Sequence, residues 1–334
     1  MSVSMPEREA TASESTDRPK VLIHQPIKSI PWSYDVERRI FGDAGVEMVE
    51  PADDAADDAA LPDAEVVIAC DTLTGDQIRS IKRPVGIVAY SVGMDYIDQK
   101  AAAERGIPIW NCPTHNSEEV SDHAVTLLLA ANKRLVEFAT EAAQGNWDIY
   151  TRPSLRRIHR MRGTTVGFVG MGRIGHKIAR KLHGFGVRAI AYDPYITYTP
   201  DPWIDLVSLD DVLTTSNFII CAASLTDTSR GLLDDDAWAK VNGVYGFVNI
   251  SRGGVVVESG LKKALDEGRL GFAALDVRSP EPPDGSNDLL TGRPDVLLTQ
   301  HIAASSIESL QDIHTEAANQ AITLLRNAGR LPAS

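Results

Sequence analysis

Short apolar runs recur along the chain with amphipathic stretches between them, the pattern of strands alternating with helices. In the first third, strands are predicted at Lys20–His24, Glu65–Ala69 and Val85–Tyr90, with helices over Tyr34–Gly45 and Thr74–Lys82. Such alternation predicts a parallel α/β sheet. The acidic, Ala-rich stretch Pro51–Ala60 reads as a solvated loop or helix end.

The pattern breaks at Asn111–Asn116, where turn residues precede a long amphipathic helix over Ser117–Arg134, with Asn116 as N-cap and Glu119 as its partner three residues on. Beyond Gly163 the alternation restarts. Strands are predicted at Thr165–Val169, Val187–Tyr192, Asn217–Cys221, Tyr245–Ile250, Phe272–Leu275 and Val296–Thr299, and helices over Arg173–Phe185 and Glu258–Gly268. A last amphipathic helix, Ile307–Arg326, has no following strand to cover, and packing it on the first domain makes that domain discontinuous. The expected organisation is a loose tail over 1–18, one α/β domain from 19–114 plus 306–334, and a second inserted over 115–305.

Of 334 residues, 43% are hydrophobic and 24% charged, a globular balance long enough for two domains. The net charge of −13 repels a phosphate backbone and argues against a nucleic-acid partner. The one basic run, Arg156, Arg157, Arg160 and Arg162, reads as a solvated or subunit-interface arm. Cys70, Cys112 and Cys221 are odd in number and far apart, which fits a reducing compartment. No segment approaches the roughly 20 apolar residues of a membrane span, so a soluble, cytoplasmic protein without a membrane partner is expected. His115, Glu119 and His123 share a helical face, but acids in a first helical turn suit the macrodipole, and no metal is expected.

The sharpest local signal is VGFVGMGRIG, with Gly170, Gly172 and Gly175 between an apolar strand and a helix. Gly170 allows a tight turn, Gly172 lets backbone approach a pyrophosphate, and Gly175 lets the helix sit close to its strand. The helix N-terminus at Arg173 and Ile174 supplies N–H groups and partial positive charge. Asp193 ends the next strand, placed to accept hydrogen bonds from ribose hydroxyls and to repel a 2′-phosphate, so NAD is expected over NADP. Three more ionisable residues follow later strands: Arg252 in NISRGG, Glu281 in SPEPP and His301 in LLTQH. A cation, an acid and a titrating imidazole downstream of a dinucleotide fingerprint are what carbonyl reduction, or its reverse, requires.

In these motifs, and in GIVAYSVGMDYID, NSEEVSDHAVTLLLAANKR and NISRGGVVVESGLKKALDEGRLGFAALDV, the chain resembles the D-isomer-specific 2-hydroxyacid dehydrogenases, from about Val85 to the last helix. The resemblance implies two Rossmann-like doubly wound domains and an NAD-dependent oxidoreductase acting on the CH–OH group of a small D-2-hydroxy acid, or reducing a 2-keto acid. It implies that Arg252 binds the substrate carboxylate and polarises the keto oxygen, that His301 is the general acid or base, and that Glu281 hydrogen-bonds the imidazole. Asp276 would hold the nicotinamide carboxamide, and the N–H groups of Val92 and Gly93 the other side of the carboxylate. Members usually dimerise through their nucleotide domains, with the region GNWDIYTRPSLRRIHRMRG taking part. The chain departs from the family pattern at Ser91, at Gln300 and at Cys221–Leu225. The segment also resembles the C-terminal-binding-protein corepressors, which leaves an NAD(H)-sensing interaction protein as the alternative.

Overall fold

The structure, a computed structural model, describes residues 18–25, 27, 33–148, 150–285 and 288–333. All of the expected tail but Arg18 lies outside the described residues. Two compact units are present. One comprises the described residues up to Cys112 together with those from Gln311 on, and the other Pro113–Leu310.

The first unit runs β1 (Lys20–His24), α1 (Asp35–Asp43), β2 (Glu47–Val49), α2 (Asp54–Ala60), β3 (Val66–Ala69), α3 (Gly75–Ser80), β4 (Gly86–Ala89), α4 (Gln99–Glu104) and β5 (Ile109–Asn111). Its sheet is parallel throughout, in the order β2-β1-β3-β4-β5. Val21, Ile23, Val66, Ile68 and Val88 enter one core and Leu22, Val67, Ala69, Ile87 and Ala89 the other, because successive strand side chains point to opposite faces. Covering both faces requires apolar residues at every position, hence runs such as VVIA and GIVA. The acidic stretch read as loop or helix end forms α2, capped by Asp53, whose carboxylate accepts from Ala56 N at 2.8 Å.

The second unit runs α5 (Ser117–Asn132), α6 (Leu135–Ala143), β6 (Thr165–Val169), α7 (Arg173–His183), β7 (Arg188–Tyr192), β8 (Ile204–Leu206), α8 (Leu209–Thr215), β9 (Phe218–Cys221), α9 (Asp235–Lys240), β10 (Gly246–Asn249), α10 (Glu258–Asp266), β11 (Ala273–Leu275) and β12 (Val296–Leu298). The seven strands are parallel in the order β12-β11-β10-β9-β6-β7-β8, so the winding reverses between β6 and β9. Asn116 is the N-cap residue of α5, but its side chain makes no capping bond; Glu119 instead accepts from the Ser306 hydroxyl at 2.8 Å, which corrects the capping pair expected from sequence. The predicted helix also stops short of Arg134, which adopts φ +54° and turns the chain into α6.

The last helix, α11 (Ile307–Asn327), sends Ile313, Ala317, Ala318, Ala321 and Leu325 into the core of the first unit, beside Val21 and Ile68. That unit is therefore built from two separated stretches of chain. Among the described residues no helix is long and apolar enough to cross a membrane.

Candidate active site

The glycine turn follows β6 at the reversal of strand order, the place where open α/β sheets bind ligands. Gly170 has φ +91°, and a Cβ there would lie 2.6 Å from the backbone of Ala223, beyond β9. Gly175 is equally constrained, with Gly170 O 2.7 Å from its would-be Cβ. Gly172, the N-cap of α7, faces open space, with nothing within 4 Å of a Cβ. The first bond of α7 runs from His176 N to Gly172 O, so the N–H groups of Arg173 and Ile174 have no helical acceptor. Asp193 reaches back to this turn, its Oδ2 accepting from Met171 N at 2.9 Å and its Oδ1 from Tyr195 N at 3.0 Å. An open glycine, unpaired helix-terminal N–H groups and a neighbouring carboxylate fit a dinucleotide: Gly172, Arg173 and Ile174 at the pyrophosphate, Asp193 at the ribose.

Arg252, Glu281 and His301 leave the carboxyl ends of β10, β11 and β12, the same edge of the sheet as the glycine turn. The turn after β10 is held by Asn249, whose Oδ1 accepts from Ser251 N at 3.0 Å and Ser251 Oγ at 2.8 Å, while its Nδ2 donates to Arg252 O at 3.3 Å. Arg252 is half-buried, and its Nη1 donates to Ser251 O at 2.9 Å. His301 Nδ1 donates to Glu281 Oε2 at 2.8 Å, since a carboxylate can only accept. Glu281 Oε1 accepts from Arg278 N at 2.5 Å. Burial pushes the Glu281 carboxyl up, but the hydrogen bonds from His301 and Arg278 N, with the charges of His301 and Arg252, outweigh it and hold the carboxyl below its ordinary value. The pair is thus a carboxylate orienting an imidazole whose Nε2 is left for proton exchange.

Asp276 stands beneath this pair. Its Oδ1 accepts from Thr299 Oγ1 at 2.6 Å and Ile302 N at 3.0 Å, its Oδ2 from Ala303 N at 3.0 Å, and its backbone carbonyl from His301 N at 2.8 Å. His123 Nε2 lies 3.4 Å from Oδ1. Burial raises the carboxyl, yet the bonds from His123, Thr299, Ile302 N and Ala303 N bring it down to about 2. Asp276 is therefore ionised and ties down the segment that carries His301.

Val92 and Gly93 lie in the first unit, in the turn after β4. Asn111 Nδ2 donates to Val92 O at 2.7 Å, and Ser91 Oγ donates to Gly93 O at 2.5 Å and lies 3.1 Å from Tyr96 OH. Both carbonyls are thereby fixed, while neither N–H of the pair donates to an acceptor among the described residues. Ser91, a departure from the family pattern, stiffens this turn. At another departure, Cys221 Sγ is 3.3 Å from Ser251 Oγ, next to Arg252.

Sequence reasoning missed Asn249, Thr299 and the anchoring work of Arg278. Thr299 acts on Asp276, 23 residues away, and Arg278 on Glu258, 20 away, which no local spacing marks, whereas Asn249 bonds Ser251 and Arg252 in its own turn, a local Asx-type signal within NISR. Of the helical face drawn from sequence, His123 Nε2 is 3.1 Å from Thr299 Oγ1, Glu119 bonds Ser306, and His115 is buried.

Residues 125–303 match the family described as D-isomer specific 2-hydroxyacid dehydrogenase, NAD binding domain. The D-3-phosphoglycerate dehydrogenase of Mycobacterium tuberculosis is 34% identical over 264 residues, 78% of this chain and 49% of that one, so the chain spans about half the length of that relative. A glyoxylate reductase of Korarchaeum cryptofilum is 32% identical over 274 residues, 81% of each chain. Among solved structures, a glyoxylate reductase from Paecilomyes thermophila superposes with a TM-score of 0.81 at 22% identity over 95% of this chain and 97% of that one, which shows a shared fold.

Proposed function

The chain belongs to the D-isomer-specific 2-hydroxyacid dehydrogenase family, and on that premise we propose that it is an NAD-dependent oxidoreductase moving a hydride between nicotinamide and C2 of a D-2-hydroxy acid or its 2-keto acid. The observation that carries this reading is the 2.8 Å bond from His301 Nδ1 to Glu281 Oε2, on the strand edge that also bears the glycine turn and Arg252. NADH, when bound, supplies the hydride. Arg252 meets the negative charge that develops on the keto oxygen, and protonated His301 gives that oxygen its Nε2 proton. In the opposite direction the neutral imidazole takes the proton from the hydroxyl. Glu281, held ionised, accepts from Nδ1 and orients the ring. The unengaged N–H groups of Val92 and Gly93 form a pair suited to a carboxylate, and Asp276 keeps its assignment to the nicotinamide carboxamide.

Residues 115–305 are assigned cofactor binding, and 19–114 with 306–334 the substrate role, a division supported by the two compact units. A homodimer through the nucleotide domains is supported by the exposed Leu135, Val136, Trp147 and Tyr150. A cytoplasmic location is supported by the free thiols of Cys70, Cys112 and Cys221.

A panel of small 2-keto acids, glyoxylate and pyruvate among them, assayed with NADH by absorbance tests the reading. Turnover of at least one acid is expected. Tight NADH binding with no turnover of any acid would overturn it in favour of the dinucleotide-sensing alternative.

A further inference from the structure

Arg278 lies two positions past Asp276, just beyond β11, and is buried, at 8% exposure, which is rare for arginine unless it is paired. Its Nε and Nη2 donate to the two carboxylate oxygens of Glu258, in the first turn of α10, at 2.7 and 2.8 Å. Nη2 also donates to Asp288 Oδ1 at 2.9 Å, and that carboxylate is itself held by Leu290 N and Thr291 N, each at 3.0 Å. One guanidinium therefore joins α10, the loop of Glu281 and the turn at 288–291. Only a planar fork can serve two carboxylates in this way.

The backbone of the same residue touches both sides of the reacting groups. Its N–H is the 2.5 Å donor to Glu281 Oε1. Its carbonyl lies so close to Gly253, the neighbour of Arg252, that a Cβ there would sit 1.9 Å from Arg278 O. Displacing this backbone moves the carboxylate that orients His301 and presses on the turn that carries Arg252.

We propose that Arg278 is a positioning residue for the acid–base pair: its buried guanidinium, clamped by Glu258 and Asp288, holds the backbone N–H that aims Glu281 at His301. The catalytic consequence rests on the dehydrogenase reading, whereas the geometric one does not. The charged groups around the loop are His301 and Arg252 facing Glu281, and Glu258 and Asp288 facing Arg278.

The test compares Arg278→Lys, Glu258→Gln, Glu281→Gln and the double variant Arg278→Lys/Glu281→Gln in the full chain. In Arg278→Lys, kcat is expected to fall on the order of 10- to 100-fold, with KM for the keto acid and NADH affinity near wild type. The acid limb of its pH profile should move to higher pH as Glu281 loses its N–H donor. The double variant should be no slower than Glu281→Gln alone, and Glu258→Gln should change kcat in the same direction by less. Independently of turnover, the ¹⁵N resonances of the His301 imidazole should move in Arg278→Lys toward their positions in Glu281→Gln. Wild-type kcat and unmoved imidazole resonances, or losses that multiply in the double variant, would overturn the proposal. Should Arg278→Lys fail to fold by circular dichroism, Glu258→Gln decides by the same readouts. A wild-type protein that reduces no keto acid defeats the dehydrogenase reading, and the resonances still decide the role of Arg278.

Discussion

His301 donates from Nδ1 to Glu281 Oε2 across 2.8 Å while its own backbone sits in the left-handed region, at φ +55°. A residue other than glycine stays there only where its surroundings hold it. Asp276 supplies the hold, taking His301 N on its carbonyl and Ile302 N and Ala303 N on its carboxylate. The imidazole is aimed from two sides, by the ring's acceptor and by the backbone's anchors, and Nε2 is the atom to which the proposed reaction assigns proton exchange.

Replacing His301 with Ala should lower kcat by roughly 10² to 10⁴. NADH affinity, read by fluorescence titration, should survive, since the glycine turn is untouched. Turnover at the wild-type rate would remove His301 from the mechanism.

Arg252→Lys keeps the charge and loses the fork. The expected result is a drop in kcat/KM for a 2-keto acid of roughly 10²-fold, the scale of losing a preorganised donor at a developing oxyanion. Steady-state kinetics that match wild type would show that another group meets the carbonyl.

Two glycines should respond differently to Ala. At Gly170 the positive φ costs about 1–3 kcal/mol and the Cβ meets Ala223 backbone at 2.6 Å, so both Tm and NADH affinity should fall. At Gly172 the added methyl has open space around it, so Tm should hold while NADH affinity drops. A Gly172→Ala protein that binds NADH as wild type would mean that no phosphate approaches there.

The depressed Asp276 carboxyl links stability to pH. Its ordinary value is 3.8 and its value in the fold about 2, so ionisation contributes about 2 kcal/mol that is fully present above pH 4. That contribution is lost as pH falls through about 2. In urea titrations the stability gap between wild type and Asp276→Asn should be constant from neutral pH to about 4 and shrink below it. A gap that widens on acidification would contradict this sign.

The parallel sheets were readable because their strands are covered on both faces, which writes runs such as VVIA and FIIC into the chain. The glycine turn was readable because a positive φ and close backbone approach at Gly170 exclude other side chains. The Asn116 cap was misread: the local pattern matched a capping pair, but Ser306, distant in sequence, takes Glu119.

By itself, then, the sequence determined the class of fold and the dinucleotide turn, since periodicity and steric exclusion act between near neighbours along the chain, and its motifs carried the resemblance to the family. Only the tertiary structure decided that Asp276 braces the left-handed His301 and that Arg278 ties Glu258 and Asp288 together. Those are directional hydrogen bonds between residues far apart in the chain, and their donors and acceptors meet only when parallel strands bring their carboxyl ends to one edge.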